Sequence, residues 1–216
     1  MKKIIVNSFT ILNALFGCFT IISISNNNYD FAIVLIIAAF LFDSLDGFLA
    51  RLLKVNSKIG SQLDSFSDTI SFCVVPGIFN FYFIKNNISI EYSLVAYIGF
   101  LTTVLGILRL SLFQTTSENR HFIGLPTPSL TLFILGLNYL PISVGFYGKL
   151  FLIVMFSFLM VTKIKFLNFR DIRTNKLKKI YLLSSLTAFL IFGNSSISLI
   201  IIIYTIVSLL DKKIKI

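Results

Sequence analysis

Apolar residues run along this chain in blocks of the length a bilayer demands. A spanning helix needs about 20 mostly apolar residues, and such blocks fall at 6–25, 31–51, 59–84, 92–113, 127–146 and 149–163. Two shorter blocks, 180–193 and 195–210, are separated by Gly193-Asn194-Ser195-Ser196 and read as a hairpin of thin spans or one re-entrant unit. Turn-forming residues mark the earlier boundaries: Asn26-Asn27-Asn28, Asn86-Asn87, Pro126 and Pro128, then Pro141 and Gly148. The pattern predicts an all-α polytopic transmembrane bundle of six core spans and a C-terminal pair, about eight in all. With no internal repeat or linker, residues 1–216 read as one integral-membrane domain. The opening Met-Lys-Lys and apolar run resemble a signal peptide, but no small-residue cleavage site follows, so the run reads as a retained first helix.

Composition agrees with the pattern. The chain is 56% hydrophobic and 13% charged, with mean hydropathy +0.90; soluble domains carry about 25% charged residues. An ordinary soluble domain and a disordered chain are both excluded. The net charge of +10 then becomes a question of topology. With a cytoplasmic N-terminus and eight spans, seventeen of the nineteen Lys and Arg fall on cytoplasmic segments, and only Lys85 and Lys149 fall outside. This is the positive-inside asymmetry, and it predicts that both termini are cytoplasmic. The basic stretch 163–179, KIKFLNFRDIRTNKLKK, reads as a topology-fixing loop in preference to a headgroup-binding strip, and Lys54 and Lys58 read as orientation residues. Nothing points to nucleic acid. Cys18 and Cys73 lie apart in apolar runs and read as packing residues.

The scarce acids carry the chemistry. Of nine, Asp43, Asp46, Asp64 and Asp68 lie at the cytoplasmic ends of the second and third spans. A carboxylate inside a bilayer is expensive and defaults to a functional role. Spacings of three and four residues set each pair on one helix face, about 5–6 Å apart at Cβ. Gly47, Ala50 and Gly60 continue those faces with small residues that permit close approach. The short loop from Leu52 to Lys58 folds the third span back on the second and brings the pairs together at one depth. Four carboxylates without a local base match two divalent cations, and hard oxygen ligands favour Mg²⁺ or Mn²⁺ over zinc. Arg51 sits at the rim, its planar fork suited to phosphate. Together these suit phosphoryl transfer on a lipid-borne pyrophosphate. A divalent-cation transport path is the distant alternative, but it calls for acids spread across several spans.

The run from Asp43 to Asp68 is D-x2-D-G-x2-A-R-x8-G-x3-D-x3-D. It resembles the signature of the CDP-alcohol phosphotransferases at every fixed position. Asn7 to Thr10 resembles that family's Asn-x-x-Thr opening. Within the family, QLDSFSDTISFCVVPG (62–77), Arg109-Leu110 and HFIGLPTP (121–128) are similar to segments of the bacterial phosphatidylserine synthases. Leu112, Gln114 and Cys73 stand where that subfamily has Arg, Asn and Gly.

The resemblance implies CDP-diacylglycerol as donor, L-serine as acceptor, CMP as product, two Mg²⁺ or Mn²⁺ ions and a homodimer. It implies an active site on the cytoplasmic side of the cytoplasmic membrane. Asp43, Asp46 and Asp64 are then metal ligands, and Asp68 both a ligand of the second metal and the general base. Gly47, Ala50, Arg51, Ser57, Asn7 and Thr10 are expected to contact the CDP-lipid, with Gly47 and Gly60 keeping backbone close to the nucleotide. Arg109, in an apolar span facing the same side, is a candidate for the serine carboxylate or a snorkelling anchor. His121 reads as a surface residue rather than a second base. Glycerol phosphate and inositol phosphate are the alternative acceptors.

Overall fold

The computed structural model describes residues 2–55, 57–115, 122–140, 144–166 and 196–210, with 181, 184, 185 and 187 as isolated positions. Among them the architecture is helical. The first helix, α1 (Lys2–Ser25), turns through Asn26–Asn28 into α2 (Tyr29–Leu52). That turn is built by its asparagines: Asn27 takes a left-handed φ of 57°, and the Asn28 side chain caps α2 by accepting from the Phe31 N–H at 3.2 Å. At its other end α2 stops in a Schellman turn. The Val55 N–H reaches back to the Ala50 carbonyl at 2.9 Å while Lys54 takes a φ of 51°. Ser57 then caps α3 (Lys58–Asp68) by accepting from the Gly60 N–H at 3.0 Å.

Helix α3 passes without a break through a π-helical turn (Thr69–Val74) into α4 (Val75–Lys85). A 3₁₀ segment (Ile90–Phe100) leads into α5 (Leu101–Thr115). Then come a two-residue strand β1 (Phe122–Ile123), α6 (Thr127–Gly136) with a 3₁₀ turn (Leu137–Tyr139), α7 (Phe146–Leu159), strand β2 (Lys165–Phe166) and α8 (Ser196–Leu210). Among the described residues, four helical runs are long and apolar enough to cross a membrane: Lys2–Ser25, Tyr29–Leu52, Lys58–Lys85 and Ser93–Leu112. They match the first four expected spans closely.

The chain divides into two units, residues 1–110 and 111–216, with the division inside α5. In the first, α1 is the common partner, packing against α2, α3, the π turn and α4. Ile24, Ile36, Ala39, Phe72, Val75 and Phe79 form its apolar interior. Thr10, Asn13, Thr20, Ser67, Ser71 and Asn80 are buried with them, while Ile4, Ile11, Phe19, Val34, Leu41 and Phe48 face outward. Such a distribution is what a lipid solvent selects: apolar side chains outward and small polar groups between helices.

In the second unit α6 packs against α7 and α8. Phe133 stacks on Phe156 with ring centroids 4.0 Å apart, and Ser198 Oγ donates to the Phe133 carbonyl at 2.8 Å. Here the expected elements shift. The block 127–146 is not one helix: α6 has ten residues, about 15 Å at 1.5 Å per residue, and the chain leaves helical geometry at Leu140, before Pro141. The block 149–163 forms its helix earlier, at 146–159, and then turns toward β2. Span 180–193 apart from its four isolated positions, His121 and most of the basic stretch 163–179 lie outside the described residues; α8 coincides with the expected 195–210.

The β1–β2 bridge pairs Phe122 with Phe166 and Ile123 with Lys165. It delivers the chain to Gly124, whose φ is +73° and whose N–H donates to the Ile164 carbonyl at 2.8 Å. A Cβ on Gly124 would land on the Met160 carbonyl oxygen. Gly124→Ala is therefore expected to destabilise the protein by at least about 2 kcal/mol, since left-handed strain and overpacking add. Thermal unfolding of the detergent-purified variant checks this; an unchanged midpoint refutes it.

Candidate active site

Thr10, Asn13, Gly17 and Thr20 recur at helical spacing and form one buried face of α1. That face meets the third helical run through serines four residues apart. Ser67 Oγ donates to the Thr10 carbonyl at 2.9 Å, and Ser71 Oγ to the Asn13 carbonyl at 3.0 Å. Gly17 makes the approach possible, because a Cβ there would meet Ser71 Oγ and stand 3.1 Å from the Ser71 Cα. On another side α5 fits against the π turn: Thr103 Oγ1 donates to the Cys73 carbonyl at 2.9 Å, and a Cβ on Gly106 would stand 2.8 Å from Cys73 Sγ.

These contacts place Asp68, the last residue of α3, against the carboxylates of its neighbours. One carboxylate oxygen each from Asp43, Asp64 and Asp68 lies within 4.8 Å of the other two. Oxygens this close suit a shared cation, and the donor set is the hard, all-oxygen kind that Mg²⁺ and Mn²⁺ take. Asp46, one turn along α2 from Asp43, is not in this triad. It is 4% exposed, and its Oδ2 has no hydrogen-bond partner. A buried carboxylate oxygen without a donor fits the same requirement for a positive partner.

Beside the triad lies a groove of about 190 Å³. Helix α1 lines it with Val6, Asn7 and Thr10; α2 with Asp46, Gly47 and Ala50; the following turn with Val55 and Ser57; and α3 with Gly60, Ser61 and Asp64. Asn7, Thr10, Gly47, Ala50, Ser57 and Gly60, six residues singled out from the sequence, thus share one wall system. Ser57 is at once the cap of α3 and part of that wall. Arg51 is exposed at the end of α2, with a guanidinium nitrogen 3.8 Å from where a Cβ on Gly47 would stand. Arg109 does not line the groove. It is 8% exposed on α5, and it and Asp68 are both within electrostatic reach of Cys73.

Sequence reasoning missed Val6, Val55, Ser61 and Asn13. Val55 reaches the groove from the turn that follows α2, Val6 from α1 and Ser61 from α3. Asn13 had a visible signal, an amide in an apolar run three residues after Thr10 and four before Gly17.

A family model for the CDP-alcohol phosphatidyltransferases matches residues 3–164, three quarters of the chain and all of the triad and groove. The chain belongs to this family. Among curated proteins, the CDP-diacylglycerol–serine O-phosphatidyltransferase of Helicobacter pylori strain J99 is 31% identical over 178 residues, covering 78% of this chain and 74% of that protein. The protein of the same name from Bacillus subtilis strain 168 is 34% identical over 170 residues, covering 74% and 88%. An archaetidylserine synthase of Methanothermobacter thermautotrophicus is 33% identical over 165 residues, covering 73% and 66%. Family membership makes this protein an enzyme of phospholipid synthesis, and the long apolar helices make it an integral membrane protein.

Proposed function

We propose that this protein transfers the phosphatidyl group of CDP-diacylglycerol to the hydroxyl of L-serine and releases CMP. The observation that carries the reading is the carboxylate triad of Asp43, Asp64 and Asp68 standing next to a groove walled by small residues. The acceptor is supported by relatives whose names specify serine, including one whose name specifies a different lipid, archaetidylserine.

In this mechanism Asp43, Asp46, Asp64 and Asp68 hold two divalent cations, Mg²⁺ or Mn²⁺, which supply positive charge against the pyrophosphate. Gly47, Ala50 and Gly60 let the nucleotide approach the helix backbones, with Asn7, Thr10 and Ser57 offering polar contacts. Arg51 faces the phosphates from the rim. Asp68 accepts the proton of the serine hydroxyl. The serine oxygen bonds to the lipid-side phosphorus, the bond from that phosphorus to the bridging oxygen breaks, and CMP departs with that oxygen.

The reading includes a single membrane domain, since the family match runs from residue 3 to 164 and so continues past the division at residue 110. It includes about eight spans, cytoplasmic termini, an active site at the cytoplasmic face of the cytoplasmic membrane, and a homodimer. The charge asymmetry supports the orientation.

The test is CMP release from CDP-diacylglycerol in Mg²⁺ or Mn²⁺, with serine against glycerol phosphate and inositol phosphate. Release driven by serine alone is expected; release driven only by another alcohol would overturn the acceptor. Arg109→Ala is expected to raise the serine KM by about 10-fold or more, the loss of a charge-assisted bond to a carboxylate. An unchanged serine KM would leave Arg109 as an anchor.

A further inference from the structure

Asn13 is a buried amide placed on the residue that does the proton transfer. It is 0% exposed, and its Nδ2 donates to Asp68 Oδ1 at 3.2 Å. Its backbone is fixed at the same time, because the Asn13 carbonyl accepts from Ser71 Oγ in the π turn that begins one residue after Asp68. The amide orientation is set by chemistry, since only the NH₂ end can face a carboxylate acceptor. The other end of the amide, Oδ1, is buried without a partner. A half-satisfied buried amide costs stability that an apolar residue of similar volume would not. The compensating effect is at Asp68: one oxygen of that carboxylate is held from α1, which limits the directions open to the other.

We infer that Asn13 is a positioning residue for Asp68, holding the carboxylate in the orientation from which it takes the acceptor's proton. The inference rests on the reading of Asp68 as that proton acceptor. Junctions between α- and π-helical turns give a side chain alternative orientations, and sites commonly occupy them. Here the amide of Asn13 selects one. The pyrophosphate groove draws on other residues of α1, so binding of the CDP-lipid and transfer from it are separable.

The experiment compares Asn13→Leu, which keeps the volume and removes the donor, with wild type and with Asn80→Leu. Asn80 is a matched control. It too is 0% exposed, donates through Nδ2 (to Thr102 Oγ1 at 2.9 Å) and leaves Oδ1 without a partner, but touches no carboxylate. Each purified protein is assayed for CMP release per folded enzyme, with the folded amount taken from thermal unfolding. Asn13→Leu is expected to lower kcat about 10- to 100-fold, with KM for the CDP-lipid and the alcohol within about threefold of wild type. Asn80→Leu is expected to change unfolding but not kcat. Should Asn13→Leu fail to accumulate, Asn13→Ser, whose hydroxyl is too short to reach Asp68, gives the same comparison. A kcat within about twofold of wild type in the Asn13 variant, or an equal loss in Asn80→Leu, overturns the role. The comparison uses whichever alcohol drives CMP release in the wild type, so a wrong acceptor overturns the proposed function and not the role of Asn13.

Discussion

Asp68→Asn abolishes CMP release while the protein remains folded: this is the expected result at the centre of the mechanism. The substitution preserves shape. The introduced amide faces Asn13, which carries a donor at Nδ2 and an oxygen at Oδ1 that lacks a partner, so either end of that amide finds a complement. Stability is therefore held or improved, since one half-buried charge disappears from a cluster of three carboxylates. Chemistry is not held. A positioned general base contributes about 10²- to 10⁴-fold, and an amide cannot accept the serine proton. Loss of a cation ligand at the same position deepens the defect. The measurement is CMP release from purified Asp68→Asn beside its thermal unfolding. Wild-type release from a folded variant would remove Asp68 from the chemistry.

The pairing of Asn13 with Asp68 also shows what the sequence carries and what it withholds. The first four spans were legible because lipid imposes a one-dimensional requirement, a long apolar run, and their ends are written in local turn residues such as Asn28 and Ser57. The convergence of Asp43, Asp64 and Asp68 was legible because helical spacing and a short loop suffice to bring them together. The expectation that the second and third spans face each other directly needs refinement, since α1 is the shared partner of α2 and α3. That arrangement depends on contacts such as Ser71 with Asn13, 58 residues apart, which no local pattern encodes. The π turn was hidden for the same reason. It lies inside an apolar run that reads as ordinary helix, and its stabilising contacts come from Thr103 and Gly17 on other helices. The short α6 was misjudged because hydropathy counts apolar residues whether or not they form one helix, and 127–146 is apolar on both sides of the break at Leu140.

Asp64 and Asp46 both line the groove but only Asp64 joins the carboxylate triad, and this supplies the second large effect. Asp64 belongs to both structures: its carboxylate is one of the three in the triad, and its side chain lines the groove. Asp46 lines the groove without joining the triad. Asp64→Asn is thus expected to lose turnover about 10³-fold or more, because it removes a ligand from the shared cation site and part of the groove wall at once. It should also shift the Mn²⁺ or Mg²⁺ dependence of whatever activity survives to higher concentration. Asp46→Asn should lose less turnover than Asp64→Asn while raising both the metal requirement and the KM for CDP-diacylglycerol, since it removes a proposed ligand of the second cation from the groove wall and leaves the triad intact. Metal titrations of CMP release for the two variants decide the matter. Equal metal midpoints for Asp64→Asn and wild type would mean that the triad is not where the cation sits, and a metal shift confined to Asp46→Asn would move the cation into the groove. The asymmetry follows from one turn of helix: Asp43 and Asp46 share a face of α2, yet only the first joins Asp64 and Asp68, so two carboxylates three residues apart stand one in the triad and one in the groove wall.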